Sequence, residues 1–279
     1  MTNLDQEAFW TTSAGPAWVA LQQEMDALLA PVLDTLADLA DLQQGEHVLD
    51  IGCGTGESVA RFAEAVGRQG HVTGLDISET MLHHAHDRLG FLPQVQLTLA
   101  DAQTHDFTTS YDVILSRFGV MFFDDTSAAF ANLWNALRPG GRLVMSAWAP
   151  PPDNPWFTGP ALAARSVLGP VPKVDRTLPG PFAFEDVDRV TGLLATAGIT
   201  DLTVDTRALM LTPKGSLSDA AELCCHIGPA DSALQYHEAG PEGKAAVKAA
   251  IASEFAKYDG PDGVHIPALI HFYSARKPT

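Results

Sequence analysis

The stretch from residue 48 to 56, Val-Leu-Asp-Ile-Gly-Cys-Gly-Thr-Gly, constrains what this chain can fold into more than any other. Residues 48–51 predict a buried parallel strand, and 57–66 the helix that follows it. Between them glycine falls at every second position, Gly52, Gly54 and Gly56. A tight turn and a close approach of backbone to ligand require the absence of a side chain there. The turn opens a helix N-terminus, whose free N–H groups favour a negatively charged ligand group. The spacing is Asp-x-Gly-x-Gly-x-Gly, with Asp50 before the first glycine, whereas dinucleotide-binding turns read Gly-x-Gly-x-x-Gly. A carboxylate in that place repels a pyrophosphate and suits a cationic or amino-bearing ligand.

Strand and helix alternate through the next hundred residues. Residues 71–76 predict a second strand ending in Asp76, 20 residues beyond Gly56, where such folds place a carboxylate that accepts ribose hydroxyls. Ser78 suits a helix N-cap, and Met81, Leu82, Ala85 and Leu89 give that helix its apolar face. Residues 95–99 predict a third strand leading into Asp101 and Ala102. Residues 111–115 predict a fourth, followed by Ser116, Arg117 and Phe118. Asp124 or Asp125 caps a helix that runs through Leu137, Arg138-Pro139-Gly140-Gly141 forms a turn, and 142–148 a fifth strand. Five alternations predict a parallel sheet covered by helices on both faces. Upstream, a polar arm (1–15) carrying Phe9 and Trp10 precedes an apolar-faced helix over 16–42, which Pro31 should kink or divide. Downstream, the proline-rich residues 150–181 read as an irregular excursion, 184–197 as a helix, 202–211 as a sixth strand and 264–275 as a seventh. The intervening insertion, 212–263, predicts helices near 217–227 and 243–258.

The loop from Asp50 to Gly56, the acids Asp76 and Asp101, the Asp101-Ala102 pair and Leu137-Arg138-Pro139-Gly140-Gly141 before a strand together resemble the class I S-adenosylmethionine (SAM)-dependent methyltransferases. The layout is similar to the ubiquinone/menaquinone-type small-molecule members. The resemblance covers residues 45–148 by motif and 184–279 by topology. It implies a Rossmann-like, doubly wound α/β fold with a seven-stranded sheet of order 3-2-1-4-5-7-6, strand seven antiparallel, an N-terminal helix and lid insertions. A single methyltransferase domain is expected over 1–279. Its parts are an arm and helix (1–44), a SAM-binding core (45–148), lid or substrate segments (149–184 and 212–263), and completion of the sheet (185–211 and 264–279). The cofactor implied is SAM. Asp50, Gly52, Cys53, Gly54 and Gly56 hold its methionine part, Asp76 the ribose, and Asp101 and Ala102 the adenine. Ile77, Met81, Arg117 and Phe118 complete the cofactor set, with Trp10 and Trp18 as an aromatic lid or as plain core residues.

That strand order makes both insertions leave and re-enter at the carboxyl edge of the sheet, where ligands bind in open α/β folds. They are placed to wall an acceptor pocket with Phe118, Met121, Phe122, Trp148, Trp156 and the 217–237 segment. Such a wall is apolar and aromatic, so the expected reaction is methyl transfer to a small, partly hydrophobic or aromatic acceptor. Where a base is needed, histidine is the natural choice near neutral pH. His226 in the insertion and His265 at the start of strand seven are the candidates by position.

The net charge of -17 leaves nothing basic to meet phosphates and argues against nucleic acid. Cys53, Cys224 and Cys225 are too few for a disulfide framework. That cysteine usage makes a reduced, cytoplasmic compartment the expectation, and the N-terminus lacks a basic start followed by an apolar core, so no signal peptide is expected. No apolar run reaches membrane-spanning length. Cys224-Cys225-His226 and the trio His83, His84 and His86 lack the spacing and companion ligands of a metal site, so no metal is expected. Two other functions remain open on the sequence. One is a nicotinamide-dependent oxidoreductase, against which the glycine spacing counts. The other is a catalytically idle SAM-binding partner subunit or regulator. Oligomeric state has no signature in the sequence.

Overall fold

The computed structural model describes residues 3–279. An N-terminal arm of α1 (Leu4–Ala8), a π-helical turn (Phe9–Ser13) and α2 (Ala14–Ala20) leads into α3 (Gln22–Ala40). Strands β1 (His47–Ile51), β2 (His71–Asp76), β3 (Val95–Leu99) and β4 (Tyr111–Arg117) alternate with helices α4 (Glu57–Val66) and α5 (Glu79–Leu89). Helix α6 (Thr126–Ala136) and β5 (Leu137–Trp148) follow, then α7 (Pro155–Leu168), α8 (Val187–Thr196) and β6 (Leu202–Leu211). Helices α9 (Leu217–Cys224), α10 (Pro229–Tyr236) and α11 (Pro241–Phe255) precede a two-residue hairpin pair, β7 (Asp259–Gly260) and β8 (Gly263–Val264), and the final strand β9 (Ile266–Arg276).

Seven strands form one sheet of order β3-β2-β1-β4-β5-β9-β6. The first five are parallel, while β9 runs antiparallel to both β5 and β6. This is the expected topology, with β9 as the seventh strand. Central strands β1 and β4 are buried along nearly their whole length because helices cover both faces, and their apolar residues Val48, Leu49, Val113 and Leu115 are fully buried. Helix starts are set by side chains that accept from orphan backbone N–H groups. Ser78 Oγ accepts from Met81 N, Asp125 from Ala128 N, and Asp186 from Arg189 N.

Several boundaries differ from expectation, each for a physical reason. The N-terminal helix divides at Leu21, not at Pro31, which sits inside α3. Pro31 has no N–H for the carbonyl four residues earlier. Thr212, from a distant insertion, donates its hydroxyl to that carbonyl, Ala27 O, at 3.4 Å. The excursion after β5 is not irregular throughout: fourteen of its residues form α7, with Pro155 at the first turn, where a missing N–H costs nothing. Helix α10, which the sequence pattern of the insertion does not announce, likewise begins on a proline, Pro229. The turn at 138–141 is drawn into β5, whose register against β4 shifts between Tyr111 and Val113.

The two insertions pack on each other: α7 lies against α10 and α11, and α11 against α9. Trp156 stacks on Phe255, ring centroids 5.9 Å apart. Gly159 lets them close, since a Cβ there would stand 2.8 Å from the Phe255 ring. Buried Asn154 ties the cap to the sheet, donating to Ala149 O at 2.9 Å and accepting from Leu269 N at 3.1 Å. Among the described residues no helix is long and apolar enough to cross a membrane.

Candidate functional site

The turn after β1 is built from glycines at left-handed φ, +68° at Gly52, +55° at Gly54 and +92° at Gly56. A Cβ on Gly52 would lie 2.7 Å from Gly119 Cα, so the loops after β1 and β4 touch backbone to backbone. Ser116 Oγ reinforces that contact by donating to Ile51 O at 2.8 Å. Gly56 serves packing: its Cβ would strike Leu89 of α5 at 2.8 Å. Phe118, just beyond β4, takes a left-handed φ of +66°, a strained choice for an aromatic residue. It stacks flat on Trp148 with centroids 4.4 Å apart.

Asp76 ends β2, fully buried, and holds the glycine turn. Its Oδ2 accepts from Gly54 N at 2.7 Å and its Oδ1 from Ser78 N at 2.8 Å. Burial pushes this carboxyl above the usual range, and the backbone donors oppose the shift. Asp101, after β3, accepts from Gln103 N at 2.9 Å and from the Asn3 backbone at 3.3 Å. Asp50 is deeper. Ser58 Oγ donates to its Oδ2, while its Oδ1 is buried without a partner among the described residues. Burial pushes Asp50 up to about 7, against the Ser58 hydrogen bond and the Arg117 charge. Asp26 of α3, paired with Gln22 and Arg88, is pushed by burial up to about 6.

These strand ends open on a cavity of about 800 Å³. Gly52, Cys53, Gly54, Asp76, Ile77, Met81, Asp101, Ala102, Arg117, Phe118, Trp10 and Trp18 line it, as do Met121, Phe122, Trp148, Trp156 and His226. Asp50 and Gly56 stand behind that lining. The structure does not bring His265 to the cavity. Strand β9 starts at Ile266, which is fully buried, so its neighbour turns outward into solvent. His226 sits at the rim, its Nε2 3.0 Å from both Glu222 Oε1 and Lys244 Nζ. Hydrogen bonds from Lys244 and then Lys248 hold Glu222 down at about 2. Cys224 and Cys225 are buried, and burial raises both thiols.

The arm closes one side of the cavity. Trp10 meets Phe122 edge-on at 5.0 Å and Trp18 at 5.9 Å. Ser78 Oγ and Thr80 Oγ1 donate to the carbonyls of Trp10 and Thr11, both at 2.8 Å. Phe157 and Phe182 extend the aromatic wall begun by Trp148, at 4.9 and 4.8 Å along the chain of rings. Sequence reasoning missed both phenylalanines, Asn3 and Asp26. The proline-rich composition around Phe157 and Phe182 hid the helix and turn that present them, and nothing local marks Asp26.

A methyltransferase domain family matches residues 48–141. Residues 48–141 are a class I methyltransferase domain. The chain is 38% identical over 121 residues to the ubiquinone/menaquinone biosynthesis C-methyltransferase of Teredinibacter turnerae, a match covering 42% of the chain and 49% of that protein. It is 32% identical over 186 residues to the nocamycin O-methyltransferase of Saccharothrix syringae, covering 62% of the chain and 65% of that protein. The chain thus spans about half to two thirds of the length of these curated relatives. Its fold is shared with phosphoethanolamine N-methyltransferase 2 of Haemonchus contortus, solved in complex with SAM. The TM-score is 0.52 at 18% identity, over 88% of this chain and 52% of that one.

Proposed function

We propose that this chain binds SAM across the ends of β3, β2 and β1 and transfers its methyl group to a small, largely apolar acceptor held beneath the α7–α11 cap. One observation carries the proposal: Asp76, Asp101 and the Gly52–Gly54 turn face the same cavity as Phe118, Trp148, Phe157 and Phe182. The residues fit the cofactor. Carboxylates stand at two successive strand ends, the open side of the turn at Gly54 has no neighbour nearer than Met81 Sδ at 3.9 Å, and an acid lies buried behind it. The relatives named above bear methyltransferase names.

Bound SAM supplies an electrophilic methyl on a sulfonium centre. The chain's task is then alignment and exclusion of water. Asp76 accepts the ribose hydroxyls and Asp101 the adenine amine. Trp10 and Trp18 shut the arm side, and the Phe118–Trp148 pair presents a flat surface against which a planar acceptor can lie. For an acceptor that must lose a proton, His226 is the histidine on the cavity lining, and its pairing with Glu222 and Lys244 fixes the ring.

Calorimetric titration tests the cofactor site. Asp76→Ala should weaken SAM binding by about 2 kcal/mol or more, because hydrogen bonds involving a charged group contribute roughly that much. Unchanged affinity in both Asp76→Ala and Asp101→Ala would overturn the assignment. Release of S-adenosylhomocysteine across fractionated metabolite pools identifies the acceptor. Tight SAM binding with no release from any pool would favour the idle binding partner. Once an acceptor is known, His226→Ala should slow single turnover by about 10²–10⁴-fold if that ring is the base. An unchanged rate would leave alignment to carry the reaction.

A further inference from the structure

The sheet order sets four strand ends side by side: Asp101 after β3, Asp76 at the end of β2, the Gly52–Gly54 turn after β1, and Arg117 at the end of β4. Neighbouring strands lie about 4.8 Å apart, so the row spans roughly 14 Å. A nucleoside held by Asp101 and Asp76 would direct its 5′ extension toward the third and fourth positions. Arg117 lines the cavity at that far end.

Its guanidinium has five N–H donors. Among the described residues it makes no hydrogen bond or salt bridge, and its Nη1 is buried without a partner. Three acids act on its charge, Asp26, Asp50 and Glu57, but none lies within hydrogen-bond or salt-bridge distance of it; one oxygen of each is engaged elsewhere, and Asp50 Oδ1 is itself buried without a partner among the described residues. Asp50 receives Ser58, Asp26 receives Gln22, and Glu57 Oε2 lies 2.6 Å from Arg88 Nη2. The acids therefore hold a cation inside the fold while leaving its fork of donors unused. A planar fork of that kind matches the two oxygens of a carboxylate.

We propose that Arg117 is the receptor for the α-carboxylate of the ligand's amino-acid part and selects ligands that carry one. The assignment rests on the SAM-binding reading above. A buried arginine that merely neutralised its acidic neighbours would affect every ligand of the site alike. A carboxylate receptor affects one kind.

The test is calorimetric titration with three probes: S-adenosylhomocysteine, the same thioether lacking its carboxylate but keeping its amine, and adenosine. The wild-type protein should bind S-adenosylhomocysteine about 10- to 100-fold tighter than the decarboxylated probe, the range expected of a charge-assisted contact. Arg117→Gln should abolish that preference while leaving the other two affinities unchanged. Arg117→Lys keeps the charge among Asp26, Asp50 and Glu57 but loses the fork, so its preference should fall between the two. It carries the test if Arg117→Gln does not fold. Equal binding of both thioethers by the wild type would overturn the proposal, as would parallel weakening of all three probes in the variants. Should the wild type bind none of the probes, the SAM-binding reading falls and this assignment falls with it. If all three bind without regard to the carboxylate, the role of Arg117 falls and the SAM-binding reading stands.

Discussion

Asp50 and Gly52 stand two residues apart, and each answers to a different physical demand. Asp50 is held in the fold with its carboxyl pushed up to about 7 by burial, whereas an unfolded chain has it near about 4. Between those values the folded state keeps a proton that the unfolded state has released. Stability therefore falls as pH rises from about 4 to about 7, and the full penalty persists above that. Asp26, raised to about 6, acts in the same direction over a narrower window. The melting temperature of Asp50→Asn relative to the wild type should accordingly rise from about pH 5 to about pH 8. A difference independent of pH would show that Asp50 keeps one protonation state throughout. Gly52 answers to sterics, with φ +68° and Gly119 Cα 2.7 Å from where a Cβ would lie. Gly52→Ala should destabilise the protein by more than about 1 kcal/mol in urea unfolding. The alternating glycines announced a turn in the sequence. That its partner would be Gly119, beyond the next strand but two, depended on the sheet.

At the scale of elements, the arm from α1 to α2 shows how much a short segment can contribute once tertiary contacts hold it. Its aromatics marked it in the sequence as a lid or core piece, yet its helical form was not legible, since Phe, Trp, Thr and Ser across Phe9–Ser13 are all weak helix formers. Ser78 and Thr80 at the start of α5 bind its carbonyls, and Asn3 bridges to Asp101 and to Asp124 N at 2.7 Å. Deleting residues 1–15 should therefore weaken SAM binding while leaving a cooperative thermal transition. A truncated protein that binds as tightly as the full chain would make Trp10 a packing residue only. Helix α3 teaches the converse. Pro31 reads as a break in any local account, and the helix continues because Thr212 supplies a donor from nearly two hundred residues away.

The whole molecule is a sheet with one covered edge, since both insertions rise from the carboxyl ends of the strands and meet above the cavity. Phe255, fully buried, joins them by stacking on Trp156 and filling the space left at Gly159. Phe255→Ala should cost about 3–5 kcal/mol through lost burial and the cavity it leaves. Amide hydrogen exchange should then quicken in α7, α9 and α11 before it does in β1, β4 and β5. Uniform quickening across the sheet would show that cap and sheet unfold as one unit. The sequence by itself determined the five alternations, the order of strands through a family resemblance, and the acids waiting at strand ends. Those features are written in local periodicity and in glycine spacing. Only the tertiary structure decided that Asp26 would stand beside Arg117, that His226 would reach the cavity while His265 turned to solvent, and that the proline-rich stretch would fold into the aromatic wall. Each of these depends on contacts between segments far apart in the chain, and no local pattern records which distant side chain will complete a hydrogen bond or fill a gap.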